Sequence, residues 1–293
     1  MLILISDAFA PNLPDQISRF GEVTDDKERI KDVDVVLIRS KTKCTREYID
    51  GAPNLKMIIR GGVGLDNVDR EYAKEKGIEV HNTPQASSIA VAEVAMALML
   101  AIPNELMRCH TGMCQGEWVK KQIKRSELYG KTLGLIGIGL IATEVAKRAK
   151  AFGMKVIAYD KYVDSSDHAK LKPSAEDIYK ESDYISLHVP LTDETKGMIN
   201  KDSIALMKDG VVIVNTCRGK VIVEEDVAKA LEDGKLRGYG TDVWFKDPPE
   251  DSPIVTAPNV VMTPHIGASS RENLLRIGDI IESKLEEFTA KNK

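Results

Sequence analysis

Cysteine is scarce: Cys44, Cys109, Cys114 and Cys217 are the four in 293 residues. So few and so scattered, they exclude a disulfide framework. Cys109 and Cys114 flank His110, but no second ligand pair follows at zinc spacing, so no metal is expected and the thiols read as buried. An excess of positive charge is also missing. Lys and Arg number 41 against 45 for Asp and Glu, a net charge of -4, which argues against a general nucleic-acid binder. Long apolar runs are absent as well. The most apolar stretch, Ile89 to Ile102, is short for a membrane span and contains Glu93. Met1 leads directly into Leu2-Ile3-Leu4-Ile5, with none of the basic residues that open a signal peptide. There is no internal repeat and no low-complexity tract. The expectation is a cytoplasmic, soluble chain with neither a membrane nor a nucleic-acid partner.

Hydrophobic residues make up 43% and charged residues 29%, enough apolar material for a sizeable core. At about 150 residues per domain, the length suggests two domains. Short apolar runs at Leu2–Ile5, Val35–Ile38, Met57–Ile59 and Ile78–Val80 alternate with amphipathic stretches, one of them Val68–Lys76, closed by Gly77. That alternation predicts a parallel sheet covered on both faces. Ile89–Ile102 is apolar nearly all round, the pattern of a buried helix. A second series starts at Thr132, with strands at Leu133–Ile136, Val156–Tyr159, Tyr184–Leu187, Val211–Val214, Gly238–Val243 and Val260–Met262. Its helices are Gly139–Phe152 and the segment carrying Val223, Val227, Ala230 and Leu231, ended by Gly234. Ser269-Ser270-Arg271-Glu272 has a capping-box pattern and opens a last helix with Leu274, Ile277, Ile281, Leu285 and Phe288 as its apolar stripe.

Between the first strand and first helix of the second series lies Gly137-Ile138-Gly139-Leu140-Ile141-Ala142. Gly137 permits a tight turn, and Gly139 lets backbone N–H groups reach a pyrophosphate at the helix N-terminus. Ala142 is small enough for close helix–sheet packing. The next strand ends in Asp160, at the separation of about 20 residues expected of a carboxylate that binds a ribose. Together these predict a dinucleotide site, and Asp160 predicts NAD over NADP because a carboxylate repels a 2′-phosphate. Lys161 follows it and softens that repulsion.

Three later strands run into polar loops: Asn215-Thr216-Cys217-Arg218-Gly219, then Asp242 to Pro248, then Thr263-Pro264-His265-Ile266-Gly267-Ala268. An Arg, an acid and a His thus arrive on successive loops, where a parallel sheet places functional groups. At this point the sequence resembles the D-2-hydroxyacid dehydrogenase family over nearly its whole length. The motifs that carry the resemblance, in order, are Arg60 to Asp69, His81-Asn-Thr-Pro84, Val91-Ala-Glu93, the nucleotide motif, Asn215 to Gly219 and Thr263 to Gly267. Arg39-Ser-Lys-Thr-Lys43, the Arg60 segment and Leu128 to Gly134 look most like the members that oxidise D-3-phosphoglycerate to 3-phosphohydroxypyruvate.

The resemblance implies an α/β protein of two domains. One is a Rossmann-type, doubly wound NAD domain over residues 89–269. The other is a flavodoxin-like substrate domain, 1–88 with 270–293, completed by the C-terminal helix. It also implies the catalytic set Arg218, Asp247 and His265, with Arg218 on the substrate carboxylate and carbonyl oxygen and His265 as acid/base. NAD contacts are expected from Gly137, Ile138, Gly139, Leu140, Ile141, Asp160, His188, Val189, Pro190, Thr216, Cys217, Arg218, Asp242, His265, Gly267 and Ala268. His81 and His110 read as structural, and His168 as a loop residue. Substrate contacts are expected from Arg39, Arg60, the backbone N–H groups of Gly61, Gly62 and Val63, and Ser87 and Ser88. By resemblance the protein is a homodimer, its basic segment Lys120, Lys121, Lys124 and Arg125 reaching across so that Lys120 contacts the neighbour's substrate phosphate. The chain stops just after its last helix, so the regulatory domains of some relatives are not expected.

The chain departs from the family pattern at several points. The residue before Pro248 is Asp247 where the family usually has Glu, a reach one methylene shorter, with Glu250 nearby as the other candidate. Leu140 stands where relatives often carry a basic residue, and the Asn that relatives often have near Ser87 is missing. Two alternatives remain open at this level: a hydroxypyruvate or glyoxylate reductase with the same catalytic set, and a non-catalytic NAD(H)-sensing binding protein.

Overall fold

The computed structural model describes residues 1–291, and the chain folds into two compact units. One runs from Met1 to Ser88 and resumes at Ala268; the other is Ile89–Gly267. The first unit holds a five-stranded sheet of β1 (Leu2–Ile5), β2 (Glu22–Thr24), β3 (Val35–Ile38), β4 (Met57–Arg60) and β5 (Glu79–Asn82). All pairs are parallel, in the order β2-β1-β3-β4-β5, the flavodoxin-like arrangement. Successive residues point to opposite faces. Leu2, Leu4, Val36, Ile38 and Ile58 pack with Cys44, Ile49 and Ala73 on one side. Ile3, Val35, Leu37, Met57 and Ile59 pack with Leu13, Ile17, Ile277, Ile281, Leu285 and Phe288 on the other. The C-terminal helix Arg271–Lys291 thus closes one face of a sheet built from the opposite end of the chain.

The second unit carries β6 (Thr132–Ile136), β7 (Lys155–Tyr159), β8 (Lys170–Leu171), β9 (Tyr184–Leu187), β10 (Val211–Asn215), β11 (Leu236–Thr241) and β12 (Val260–Met262). The order β12-β11-β10-β9-β6-β7-β8, again all parallel, is doubly wound. The winding direction reverses between β6 and β9, and ligands bind sheets of this kind beyond the strand C-termini at such a reversal. The helix Pro84–Ala101 is long and apolar enough to cross a membrane by composition alone. Instead Ala92, Ala95, Leu98 and Met99 are buried with Leu133, Leu135, Val212 and Val214 of this sheet. Gly238 and Gly240 of β11 make that packing close: a Cβ at Gly238 would lie 2.4 Å from Ile102 Cγ2, and one at Gly240 2.9 Å from Leu98 Cβ.

Besides shifted ends, such as a buried helix over Pro84–Ala101 where Ile89–Ile102 was expected, three details differ from the sequence reading. The edge strands β2 and β8 were not expected, because Glu22-Val-Thr24 and Lys170-Leu171 are half-exposed and carry no apolar run. Strand β11 ends at Thr241 rather than Val243. The Thr241 hydroxyl donates to Val243 O (2.6 Å) and accepts from Val243 N (3.2 Å), which turns the chain and leaves Asp242 just past the strand. The last helix is capped one residue later than the expected box. Ser270 Oγ accepts from Asn273 N at 3.1 Å, and fully buried Asn273 donates through Nδ2 to Ala268 O at 2.7 Å. Burial of Asn273, Ile277 and Ile281 fixes the helix phase, and that phase leaves Ser269 outside the cap. Ser270→Ala is therefore expected to lower stability by about 1 kcal/mol, whereas Ser269→Ala should stay within about 0.5 kcal/mol of the parent. Denaturant melts that reverse this ranking would place the cap at Ser269.

Candidate active site

The strand ends of the second unit carry the site. Gly137 sits just past β6 at φ +90, where its N–H donates to Tyr159 O at 2.8 Å. A Cβ there would lie 2.5 Å from His188 O, so both the turn and the neighbouring strand require glycine. Gly139 is the N-cap of the helix Leu140–Ala151, and a Cβ on it would meet nothing within 4 Å. No side chain caps this helix, so its first-turn N–H groups face open space beside Gly139, the requirement for an anion. Ala142 is fully buried where the helix meets the sheet. Leu140 is exposed and adds no charge.

Asp160 stands at the end of β7, the neighbouring strand. Its Oδ2 accepts from Ile138 N at 2.9 Å and its Oδ1 from Tyr162 N at 2.8 Å, so one oxygen is fixed against the glycine turn and the other against its own loop. Each retains acceptor capacity for a ribose hydroxyl. The buried Thr216 hydroxyl has no hydrogen-bond partner among the described residues. Bare first-turn donors, a fixed carboxylate and an orphaned hydroxyl fit a dinucleotide.

Asn215, fully buried, knits the loop after β10. Its Oδ1 accepts from Cys217 N (3.1 Å) and Cys217 Sγ (3.2 Å), and its Nδ2 donates to Arg218 O (2.9 Å). Burial pushes the Cys217 thiol pKa up, so this sulfur is inert. Arg218 Nη1 donates to Cys217 O at 2.6 Å. A Cβ on Gly219 would lie 2.0 Å from Trp244 C, so this loop runs in contact with the loop after β11.

Asp242 organises the loop after β12. Its Oδ1 accepts from Thr263 Oγ1 (2.6 Å) and Ile266 N (2.8 Å), and its Oδ2 from Gly267 N (2.7 Å). The carboxylate is almost wholly buried and brackets His265, whose backbone is held at φ +55. His265 Nδ1 meets Asp247 Oδ2 at 2.6 Å. Asp247 therefore reaches the histidine despite its shorter side chain, while Glu250 pairs with Lys246 instead. The sequence offered Asp242 as a cofactor contact. Here its oxygens hold the histidine loop, a role set by residues more than twenty positions away that spacing could not reveal.

Several expected contacts are committed elsewhere. Gly61 N donates to Ile38 O (2.8 Å) and Gly62 N to Thr83 Oγ1 (2.9 Å), so neither N–H is available to a substrate carboxylate. Arg39 Nη2 donates to Ala268 O at 2.7 Å, which fixes that carbonyl within the first unit together with Asn273. Arg60 folds back over Gly62, where a Cβ would lie 2.2 Å from its Nη1. Ser87 is fully buried and Ser88 Oγ donates to Gln85 O, while Val63 is exposed. Lys120 is exposed on the turn Val119–Lys121. Arg237, unnoticed in the sequence, pins the segment beyond it through Ser126 Oγ (2.6 Å) and Lys124 O (2.7 Å).

His188, just past β9, pairs through Nε2 with Ser186 Oγ at 2.8 Å, and Val189 and Pro190 follow it beside the glycine turn. Burial lowers the His188 pKa to about 4. It stays neutral in the folded protein between pH 4 and its ordinary value near 6.5, while the unfolded chain takes up a proton there. Stability contributed by neutral His188 is thus complete above about pH 6.5 and is lost as the pH falls toward 4. His188→Gln should lose less stability than the parent between pH 7 and 4.5. Parallel stability curves would contradict burial as the cause.

The model of the D-isomer specific 2-hydroxyacid dehydrogenase NAD binding domain matches residues 96–267. A hydroxypyruvate reductase of Thermotoga maritima is 50% identical over 263 residues, covering 88% of this chain and 86% of its own. A D-3-phosphoglycerate dehydrogenase of Methanocaldococcus jannaschii is 47% identical over 263 residues, 88% of this chain but 50% of its own, so this chain spans half that relative's length. Among solved structures, a D-lactate dehydrogenase of Aquifex aeolicus complexed with NAD and lactic acid superposes with a TM-score of 0.88 at 31% identity, covering 99% of this chain and 96% of the other. With a doubly wound nucleotide unit, its glycine turn and these likenesses all in agreement, the chain belongs to the NAD-dependent D-isomer-specific 2-hydroxyacid dehydrogenases.

Proposed function

We propose that the protein interconverts D-3-phosphoglycerate and 3-phosphohydroxypyruvate, with His265 as the acid/base. The observation that carries the chemistry is the 2.6 Å pair between His265 Nδ1 and Asp247, on loops that follow adjacent strands β11 and β12. A carboxylate on Nδ1 fixes the ring and leaves Nε2 for the substrate. In oxidation Nε2 takes the proton from the C2 hydroxyl, and in reduction it returns a proton to the C2 oxygen. The nicotinamide, when bound, supplies the hydride acceptor or donor. Arg218 holds the substrate carboxylate, for which its planar fork of donors is suited. Gly137 to Ile141, Asp160 and Thr216 hold the nucleotide. Asp242 acts through the backbone of the His265 loop.

The phosphate reading rests on the Arg39 to Lys43 and Arg60 segments, which resemble those of the members that oxidise D-3-phosphoglycerate. The likeness to the phosphoglycerate dehydrogenase supports this choice. The second reading, a hydroxypyruvate reductase, is favoured by the other relative's name and by Arg39, one of whose guanidinium nitrogens already donates to Ala268 O. The two substrates differ by the phosphate group, so they separate cleanly. Initial rates of NADH oxidation should give a kcat/KM for 3-phosphohydroxypyruvate roughly a hundredfold above that for hydroxypyruvate, about 2.7 kcal/mol of transition-state binding. Equal or better rates on hydroxypyruvate would transfer the assignment to the reductase.

A further inference from the structure

Lys161 directly follows the carboxylate assigned to the ribose, and an ammonium at that point would attract a 2′-phosphate. In the structure that ammonium is paired. Lys161 Nζ lies 2.7 Å from Glu194 Oε1 and 2.8 Å from Oε2, and 5.8 Å from the centre of the Tyr162 ring. Glu194 comes from a different segment, the loop after β9, so the pairing is tertiary and invisible to sequence spacing. Of the two side chains, Lys161 is 52% and Glu194 68% exposed. Neither is needed for packing. With Glu194 present, the Asp160–Lys161–Glu194 group carries a net negative charge; without it, the group is neutral and its ammonium is released beside the ribose.

We propose that Glu194 is a specificity-determining residue, which enforces the preference for NAD over NADP by holding Lys161 away from the 2′-position. This rests on Asp160 being the ribose carboxylate. Because the pair is exposed, the effect is modest and is screened by salt. An unpaired Lys161 is a mobile cation on a flexible stem, able to meet a phosphate dianion. Glu194 makes the same cation unavailable by holding its ammonium with both carboxylate oxygens.

The test is a fluorescence titration of the whole protein with NADH and with NADPH, at low salt and in 0.5 M salt, the latter about the level at which surface charges are screened within a few ångströms. For Glu194→Gln, the NADPH Kd should tighten roughly three- to tenfold at low salt and less at high salt, with the NADH Kd changing less than about twofold. In a Lys161→Ala background, Glu194→Gln should give no such gain. Unchanged NADPH binding, or an equal change for both nucleotides, overturns the proposal. A gain that persists without Lys161 also overturns it, since the carboxylate would then act directly. Asp160→Ala separates the two levels of the argument. If it leaves NADH affinity unchanged, the ribose assignment itself fails. If it weakens NADH while Glu194→Gln leaves NADPH unmoved, only the role of Glu194 fails.

Discussion

The buried carboxylate of Asp242 is the constraint on which the reactive end of the molecule depends. A histidine with positive φ sits in a region that costs a non-glycine residue roughly 1 kcal/mol or more unless its surroundings over-determine it. Asp242 provides that determination by accepting from Thr263, Ile266 and Gly267, on both sides of His265. Even Gly267 follows from it, since a Cβ there would lie 2.8 Å from Asp242 Oδ2. The carboxylate is itself placed by the Thr241 turn that ends β11 one step before it. A strand end, a buried acid and a strained histidine thus form one causal chain.

That chain explains how an aspartate can stand where relatives usually use a glutamate. The loop after β11 runs against Gly219, and Trp244 Nε1 donates to Thr263 O at 3.2 Å, so this loop is tied to the histidine loop. Asp247 is carried close enough for the shorter side chain to reach Nδ1. Specificity toward the cofactor is a separate matter, set where β7 and the loop after β9 meet through Lys161 and Glu194. The proton chemistry is assigned to the β11/β12 wing of the sheet, whereas the Lys161–Glu194 pair spans the point where the winding reverses, from the end of β7 to the loop after β9.

What was legible in the sequence was what is local. Apolar runs marked the buried strands because parallel strands covered on both faces must be apolar throughout. The glycine turn and Asp160 were legible because a short loop and one adjacent strand fix their separation. Half-exposed edge strands such as Glu22–Thr24 carry no such signature. Nor does a hydrogen bond that joins distant residues. Gly61 and Gly62 looked like free donors until Ile38 O and Thr83 Oγ1 were seen to accept from them. Likewise, no local pattern shows that Arg39 Nη2 donates to Ala268 O. Arg237, which holds the segment around Lys124 and Ser126, gave no sequence signal, since an Arg is ordinary in isolation.

In the proposed chemistry Asp247, at its own length, is the working partner of His265. The most direct measurement is the steady-state rate of 2-oxo acid reduction by Asp247→Asn and Asp247→Glu, each beside the parent. Loss of the carboxylate should lower kcat at least roughly tenfold with little change in NADH affinity, as expected for a group that acts through the general acid. Asp247→Glu should not exceed the parent, because the loop already brings the shorter side chain to 2.6 Å. Parent-like turnover in Asp247→Asn would contradict this pairing and leave His265 without the partner assigned to it.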